Sequence, residues 1–198
     1  MYDIIIRNGF VIDGSGDPGL KRDVAISKGK IVALGYPLLE KATKEIDASG
    51  SIVCPGFMDI HSHADRSVLT NPKAESAIRQ GITFVLGGQC GGSEAPLTEK
   101  TREVMQKRRR NRIDWLTMDE FLNKLEQEKM AINLGMLIGQ GTVRGAVMGT
   151  NPNPPTVDEM KSMCDMIDQA MKDGAFGLST GRRYMPGCLA RHEEIIEV

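Results

Sequence analysis

From Ser51 onward the chain alternates short apolar runs with amphipathic segments, and that alternation restricts it to folds built from parallel β/α units. Four runs read as strands, at 52–60, 83–86, 132–138 and 175–178. Between them, Thr117 with Glu120 and Thr156 with Glu159 each spell a capping box. In that motif the threonine hydroxyl and the glutamate satisfy each other's orphan amides at the head of a helix. In the second helix Met160, Met163, Cys164, Ile167 and Met171 recur at helical spacing, a stripe that reads as core packing rather than a cofactor box.

The first fifty or so residues follow a different rule. Short strands at 3–7, 10–12, 23–27 and 30–34 are separated by turn clusters such as 13–19, and Ser27-Lys28-Gly29-Lys30 looks like a hairpin turn. So short a β segment buries little apolar surface and needs a partner. A (β/α)8 barrel takes about 250 residues, so residues 55–198 can hold about half of one. The expected fold is therefore α/β: a truncated TIM (β/α)8 barrel of about four β/α units over 55–198, preceded by the N-terminal part of a small β-sandwich over 1–54. The run 193–198 begins an amphipathic helix with no stop signal, which suggests a chain cut within an element. A half-barrel with an unpaired strand edge is expected to self-associate.

Composition narrows the function. With 25 basic and 26 acidic residues the chain is nearly neutral, so nothing in the balance favours nucleic acid or an anionic membrane, and small-molecule chemistry becomes the default. The basic run 107–112 reads as a solvated loop face, because it falls between β/α units and aromatic residues are scarce. Cys54, Cys90, Cys164 and Cys188 are widely spaced without a CxxC pair, which fits a reducing cytoplasm better than a disulfide framework. Neither the N-terminus nor any later apolar run reads as an export signal or a membrane span.

The strongest chemical signal is Pro55-Gly56-Phe57-Met58-Asp59-Ile60-His61-Ser62-His63-Ala64-Asp65. Side chains two apart on a strand share a face, so His61 and His63 can present nitrogens to one ion. Taken alone, H-x-H is equally well two satisfied core histidines. The chain has only three histidines, and two end an apolar strand where burial without a partner is costly, which favours a metal. Cys90, inside Gly87-Gly88-Gln89-Cys90-Gly91-Gly92-Ser93, is flanked by glycines that let a thiolate approach an ion; a single cysteine is otherwise more often inert. His192, at the head of the last helix, reads as an exposed polar residue.

Several blocks together resemble the amidohydrolase superfamily, and within it the N-acyl-D-amino-acid deacylases, or D-aminoacylases. They are 2–9 with 11–16, 55–65, the loop around Cys90, 139–149 and 177–187. The resemblance implies that His61, His63 and Cys90 bind zinc or a similar divalent ion, one or two per complete enzyme, with Asp65 in support or touching substrate. It implies that Tyr184 contacts the carboxylate of an N-acyl amino acid. Arg182 and Arg183 are further candidates for charge-assisted bonds, against the alternative of a solvated surface pair.

The superfamily branches with a carbamylated lysine at the end of strand four find no match, since no lysine occurs between Gly174 and Gly187. Gln140 and Ala64 stand where relatives commonly carry His and Asp, and Arg182 replaces a common apolar residue, all of which bears on substrate preference. The implied reaction is metal-assisted hydrolysis of the amide in an N-acyl-D-amino acid, with a carboxylate from a late strand moving the proton. That carboxylate and further histidine ligands are expected from strands beyond those read here, so the 198-residue chain is expected to be inactive alone. The rival readings are a cyclic amidase of the hydantoinase or dihydropyrimidinase type and a non-enzymatic scaffold of amidohydrolase ancestry.

Overall fold

The two strands expected at 3–7 and 10–12 are one in the structure, a computed structural model that describes residues 1–109 and 112–198. β1 (Tyr2–Val11) carries an irregularity between Ile6 and Gly9, where Asn8 takes a positive φ of 62°. Asparagine tolerates that conformation better than most residues, and the bulge re-aims the strand without ending it. β2 (Leu20–Ser27) and β3 (Lys30–Gly35) form the expected hairpin, turning on Lys28 and Gly29 at φ 50° and 73°. Two successive positive φ values suit the twist of a two-residue hairpin turn.

β4 (Ala42–Asp47) and β5 (Ile52–Val53) both run parallel to β1, the first along Tyr2 to Arg7 and the second against Phe10 and Val11. β4 escaped the sequence reading because Thr43, Lys44, Glu45 and Asp47 interrupt its apolar pattern, and those positions are exposed. The fixed point of this sheet is Asp23, which is buried and accepts from the Asn8 amide at 2.8 Å, the Leu38 amide at 3.0 Å and Arg7 at 3.4 Å. Burial pushes its carboxyl up, and these donors outweigh burial and hold it below the ordinary range.

The chain divides into two compact units, Met1–Gly56 and Phe57–Val198. The expected strand 52–60 is accordingly split. Ile52 and Val53 belong to the first unit's sheet, Cys54-Pro55-Gly56 is unpaired, and β6 (Phe57–Asp59) starts the second unit. Proline lacks an amide to donate, so the run is interrupted there.

In the second unit α1 (Glu75–Ile78) leads to β7 (Ile82–Gly87). Then come α2 (Glu99–Gln106), α3 (Met118–Gln127) and β8 (Asn133–Met136). β6, β7 and β8 make a parallel sheet in that order. At Leu137 the chain changes partners: the Leu137 amide donates back to Gly87 at 3.0 Å, while Ile138 donates to Gly177 at 2.8 Å. β9 (Ile138–Gly139) therefore pairs in parallel with β10 (Leu178–Ser179), on either side of α4 (Gln140–Met148) and α5 (Val157–Lys172). α6 (His192–Glu197) follows, with His192 exposed at its head. The fold is mixed α/β.

Both expected capping boxes form, Thr117–Glu120 at α3 and Thr156–Glu159 at α5; a third, Thr98 with Thr101, caps α2. The methionine stripe of α5 needs one correction. Met163 and Ile167 are buried with Met160 and Met166 packed beside them, but Met171 is 44% exposed, and in the last turn it is Ala170 that faces the core. Residues 140–148, taken from the sequence as part of a loop block, are helical; Gly141 and Gly145 dilute the propensity that would have revealed it.

The core gathers Trp115, Met118, Phe121, Met136, Ile138, Val143 and Met163, each worth roughly 1.5–3 kcal/mol on burial. Trp115 and Phe121 stack with centroids 5.1 Å apart, and the indole N–H donates to the Glu94 carbonyl at 2.9 Å. Among the described residues no helix is long and apolar enough to cross a membrane.

Candidate metal centre

His61 and His63 lie beyond β6 and not within it, so strand alternation is not what brings them together. The Asp59 carboxylate accepts from the His61 amide at 3.1 Å, a turn that ends the strand, and the Ser62 amide donates to Leu86 of β7 at 3.1 Å. Gln89, itself buried, donates to the Ile60 carbonyl at 2.8 Å and ties this turn to the loop after β7. His63 then caps a 3-10 turn over Ala64–Arg66. Both imidazoles are exposed, so the cost of burial does not bear on their role.

Cys90 arrives from the other side. Its φ of 58° is unusual for a residue with a Cβ. The conformation is held by Gly91, whose amide donates to Ser179 Oγ at 3.0 Å, and by Ser179 Oγ donating to the Gly88 carbonyl at 2.5 Å. A Cβ on Gly181 would stand 1.8 Å from the Cys90 carbonyl oxygen, and one on Gly139 2.6 Å from the Gly91 oxygen. Glycine at both positions is what lets the Cys90 loop seat against β9 and β10.

The result is a convergence. Cys90 Sγ lies 3.4 Å from His61 Nε2, the two imidazole rings are 5.8 Å apart and edge-on, and one donor atom from each of His61, His63 and Cys90 lies within 4.8 Å of the others. Tetrahedral bonds of about 2.0–2.3 Å place neighbouring donors roughly 3.5 Å apart, so two nitrogens and a sulfur at this spacing fit a zinc-like ion. Beside them opens a cavity of about 220 Å³ lined by His63, Cys90, Arg66, Tyr184 and Met185, with glycine backbone as the rest of its wall. Tyr184 is brought to the site; Arg182 and Arg183 share its loop but are exposed and do not line the cavity.

Asp65 is buried beneath Gly87, and among the described residues neither carboxylate oxygen meets a hydrogen-bond partner in good geometry. Burial raises its pKa, while the nearby Gly88 amide and the charges of Arg66 and His63 act against that rise. Glu94, also buried, is raised to about 7 by burial, against the pull of Arg109, with which it forms an ion pair. Arg109 also donates to the Arg66 carbonyl at 3.0 Å, so this half-buried member of the run 107–112 ties two segments together and is not a freely solvated side chain. Arg110 and Asn111 of that run lie outside the described residues.

The sequence reading missed Gln89, Glu94 and Arg109. Gln140, singled out as a departure, is buried with Arg144 and Glu194, donating to Glu194 at 2.9 Å. Arg144 pairs with the same carboxylate at 3.1 Å. The pair anchors α6 to α4 and lies outside the donor cluster.

A family model described as the amidohydrolase family matches residues 44–192. The chain belongs to the amidohydrolase family. Within that family it is similar to two proteins from Alcaligenes xylosoxydans xylosoxydans. It is 34% identical to a D-aminoacylase over all of this chain and 41% of that protein, and 37% identical to an N-acyl-D-aspartate deacylase over 99% and 40%. Among solved structures it resembles N-acyl-D-glutamate deacylase from Bordetella bronchiseptica complexed with zinc and a phosphonate inhibitor. That match has a TM-score of 0.90 at 33% identity, covering 99% of this chain and 42% of the other. This amidohydrolase chain thus spans about two-fifths of the length of the relatives it matches.

Proposed function

We propose that this chain carries part of the metal centre and substrate cavity of an N-acyl-D-amino-acid deacylase, an enzyme that hydrolyses the amide between an acyl group and a D-amino acid. The observation that carries this is the convergence of His61, His63 and Cys90, the last two of which line a glycine-rich cavity. The printed activities of the similar D-aminoacylase and N-acyl-D-aspartate deacylase support the substrate class. The parallel order of β6, β7 and β8 and the intervening helices support reading 55–198 as the first four units of a (β/α)8 barrel, with 1–54 as part of a β-sandwich.

Each residue then has a task. His61, His63 and Cys90 would hold zinc, one or two ions as in related enzymes, and the bound metal would supply polarisation of the acyl carbonyl and a lowered pKa for water. The glycines let the loops that wall the cavity pack backbone against backbone, since a Cβ at 91 would meet Gly181, one at 141 the Gly91 carbonyl and one at 187 the Gly181 carbonyl. Tyr184 offers a phenolic O–H to the substrate carboxylate. Asp65, next to the turn that carries His63, positions that turn. No carboxylate among the described residues joins the donor cluster to move a proton to the leaving amine, so the chain by itself binds without turning over. The exposed residues Phe57, Met58 and Ile60, on and just after β6, provide an apolar edge for self-association. The ligand is a small molecule; neither nucleic acid nor membrane enters, and the setting is the reducing cytoplasm.

Calorimetric titration of the zinc-loaded chain tests this. N-acetyl-D-glutamate or N-acetyl-D-leucine is expected to bind and dihydrouracil is not, with no amine released. Preference for the cyclic amide supports the rival cyclic amidase, and amine release at enzyme-like rates contradicts the division of labour proposed here.

A further inference from the structure

Among the described residues that line the cavity, Arg66 is the one lysine or arginine, and none is a carboxylate. Its backbone is fixed twice over, by the 3-10 turn Ala64–Arg66 and by Arg109 donating to its carbonyl. Its guanidinium runs beside Gly92: Nη2 stands 3.1 Å from where a Cβ on Gly92 would be. Among the described residues no side chain hydrogen-bonds or ion-pairs with that guanidinium. Two acids, Asp65 and Glu94, feel its charge but are buried and do not line the cavity, and Glu94 is already paired with Arg109. A solvent-exposed planar fork of donors, beside Gly92, thus lines the same cavity as His63 and Cys90 with no acid in that lining among the described residues.

We infer that Arg66 is the charged carboxylate-binding side chain of this cavity, acting beside the phenol of Tyr184 and fixing an anionic group of the substrate while the amide lies toward the His61, His63 and Cys90 cluster. The assignment rests on the deacylase reading for the identity of the ligand, but its charge logic holds for any carboxylate. It moves the anion-binding role from Arg182 and Arg183, which do not line the cavity, to a residue that does. A substrate can present its α-carboxylate or a side-chain carboxylate; the guanidinium accepts either as a bidentate partner.

The zinc-loaded chain is titrated with N-acetyl-D-glutamine, which has only the α-carboxylate, N-acetyl-D-isoglutamine, which has only the side-chain carboxylate, and the corresponding diamide, which has neither. At least one monoanion is expected to bind about tenfold more tightly than the diamide. Arg66→Met is expected to erase that difference, Arg66→Lys to restore part of it, and Gly92→Ala, which crowds Nη2, to give an intermediate loss. The monoanion that loses affinity identifies the carboxylate. The inference is overturned if wild type shows no preference or if Arg66→Met keeps it. Zinc affinity read in the same titrations separates the two ideas: failure to bind zinc through the cluster sinks the deacylase reading, whereas a carboxylate preference that depends on Arg66 in the metal-free chain still stands.

Discussion

The two arms of the candidate metal centre are held by opposite means. The sulfur arm is built by close packing: Cys90 keeps a left-handed backbone because Gly139, Gly181 and Ser179 leave no other way to seat its loop. The imidazole arm hangs from β6, a three-residue strand whose Phe57 and Met58 are more than half exposed, and is tied back chiefly by Gln89 and the Ser62 amide. One arm is preorganised by backbone sterics and the other by a few hydrogen bonds, so the first should resist perturbation until it fails outright, and the second should yield gradually.

The largest effect is expected where the packed arm is broken. Gly181→Ala forces a methyl against the Cys90 carbonyl and should cost about 3 kcal/mol of stability, with loss of zinc binding. By contrast, Met58→Ser on the exposed strand should stay within about 0.5 kcal/mol. Urea unfolding followed by Trp115, the chain's single tryptophan, reads both; equal effects would erase the distinction between the arms.

A smaller effect sharpens it. Gln89→Leu removes the donor to Ile60 and should weaken zinc binding roughly 10- to 100-fold while leaving the fold largely intact, as loss of a supporting hydrogen bond does in metal sites. Competition with a chromophoric chelator measures it, and unchanged affinity would mean that the imidazole arm is held by something other than Gln89.

The smallest is a pH effect on the sulfur arm. Glu94, on the same loop as Cys90, has an ordinary value of 4.5 and is raised to about 7 in the fold. Between these values the folded state binds more protons than the unfolded one, so stability falls as pH rises through that window. Glu94→Gln should flatten the profile. Asp23 in the first unit, held below its ordinary range, gives the opposite sign, with stability lost as pH falls.

What the sequence made legible follows the same division. Capping boxes at Thr117 and Thr156 announced their helices because the motif is local chemistry. The pairing of His61 with His63 was visible for a reason that proved incidental, since a turn at Asp59 and not strand alternation converges them. Gln89, Glu94 and Arg109 were hidden because their partners lie far along the chain: Ile60 is 29 residues from Gln89, and Glu94 is 15 from Arg109. α4 was hidden by its glycines, and those glycines have a use: a Cβ on Gly141 would come within 2.8 Å of the Gly91 carbonyl oxygen, so helix propensity gives way to close packing beside the cavity.

X-ray absorption on the zinc-loaded chain tests the central claim most directly. Convergence of His61, His63 and Cys90 predicts one sulfur at about 2.3 Å and two imidazole nitrogens at about 2.0 Å in the first coordination shell, with the sulfur lost in Cys90→Ser. A shell of oxygen and nitrogen alone in the unaltered chain, or one indifferent to Cys90→Ser, would contradict it.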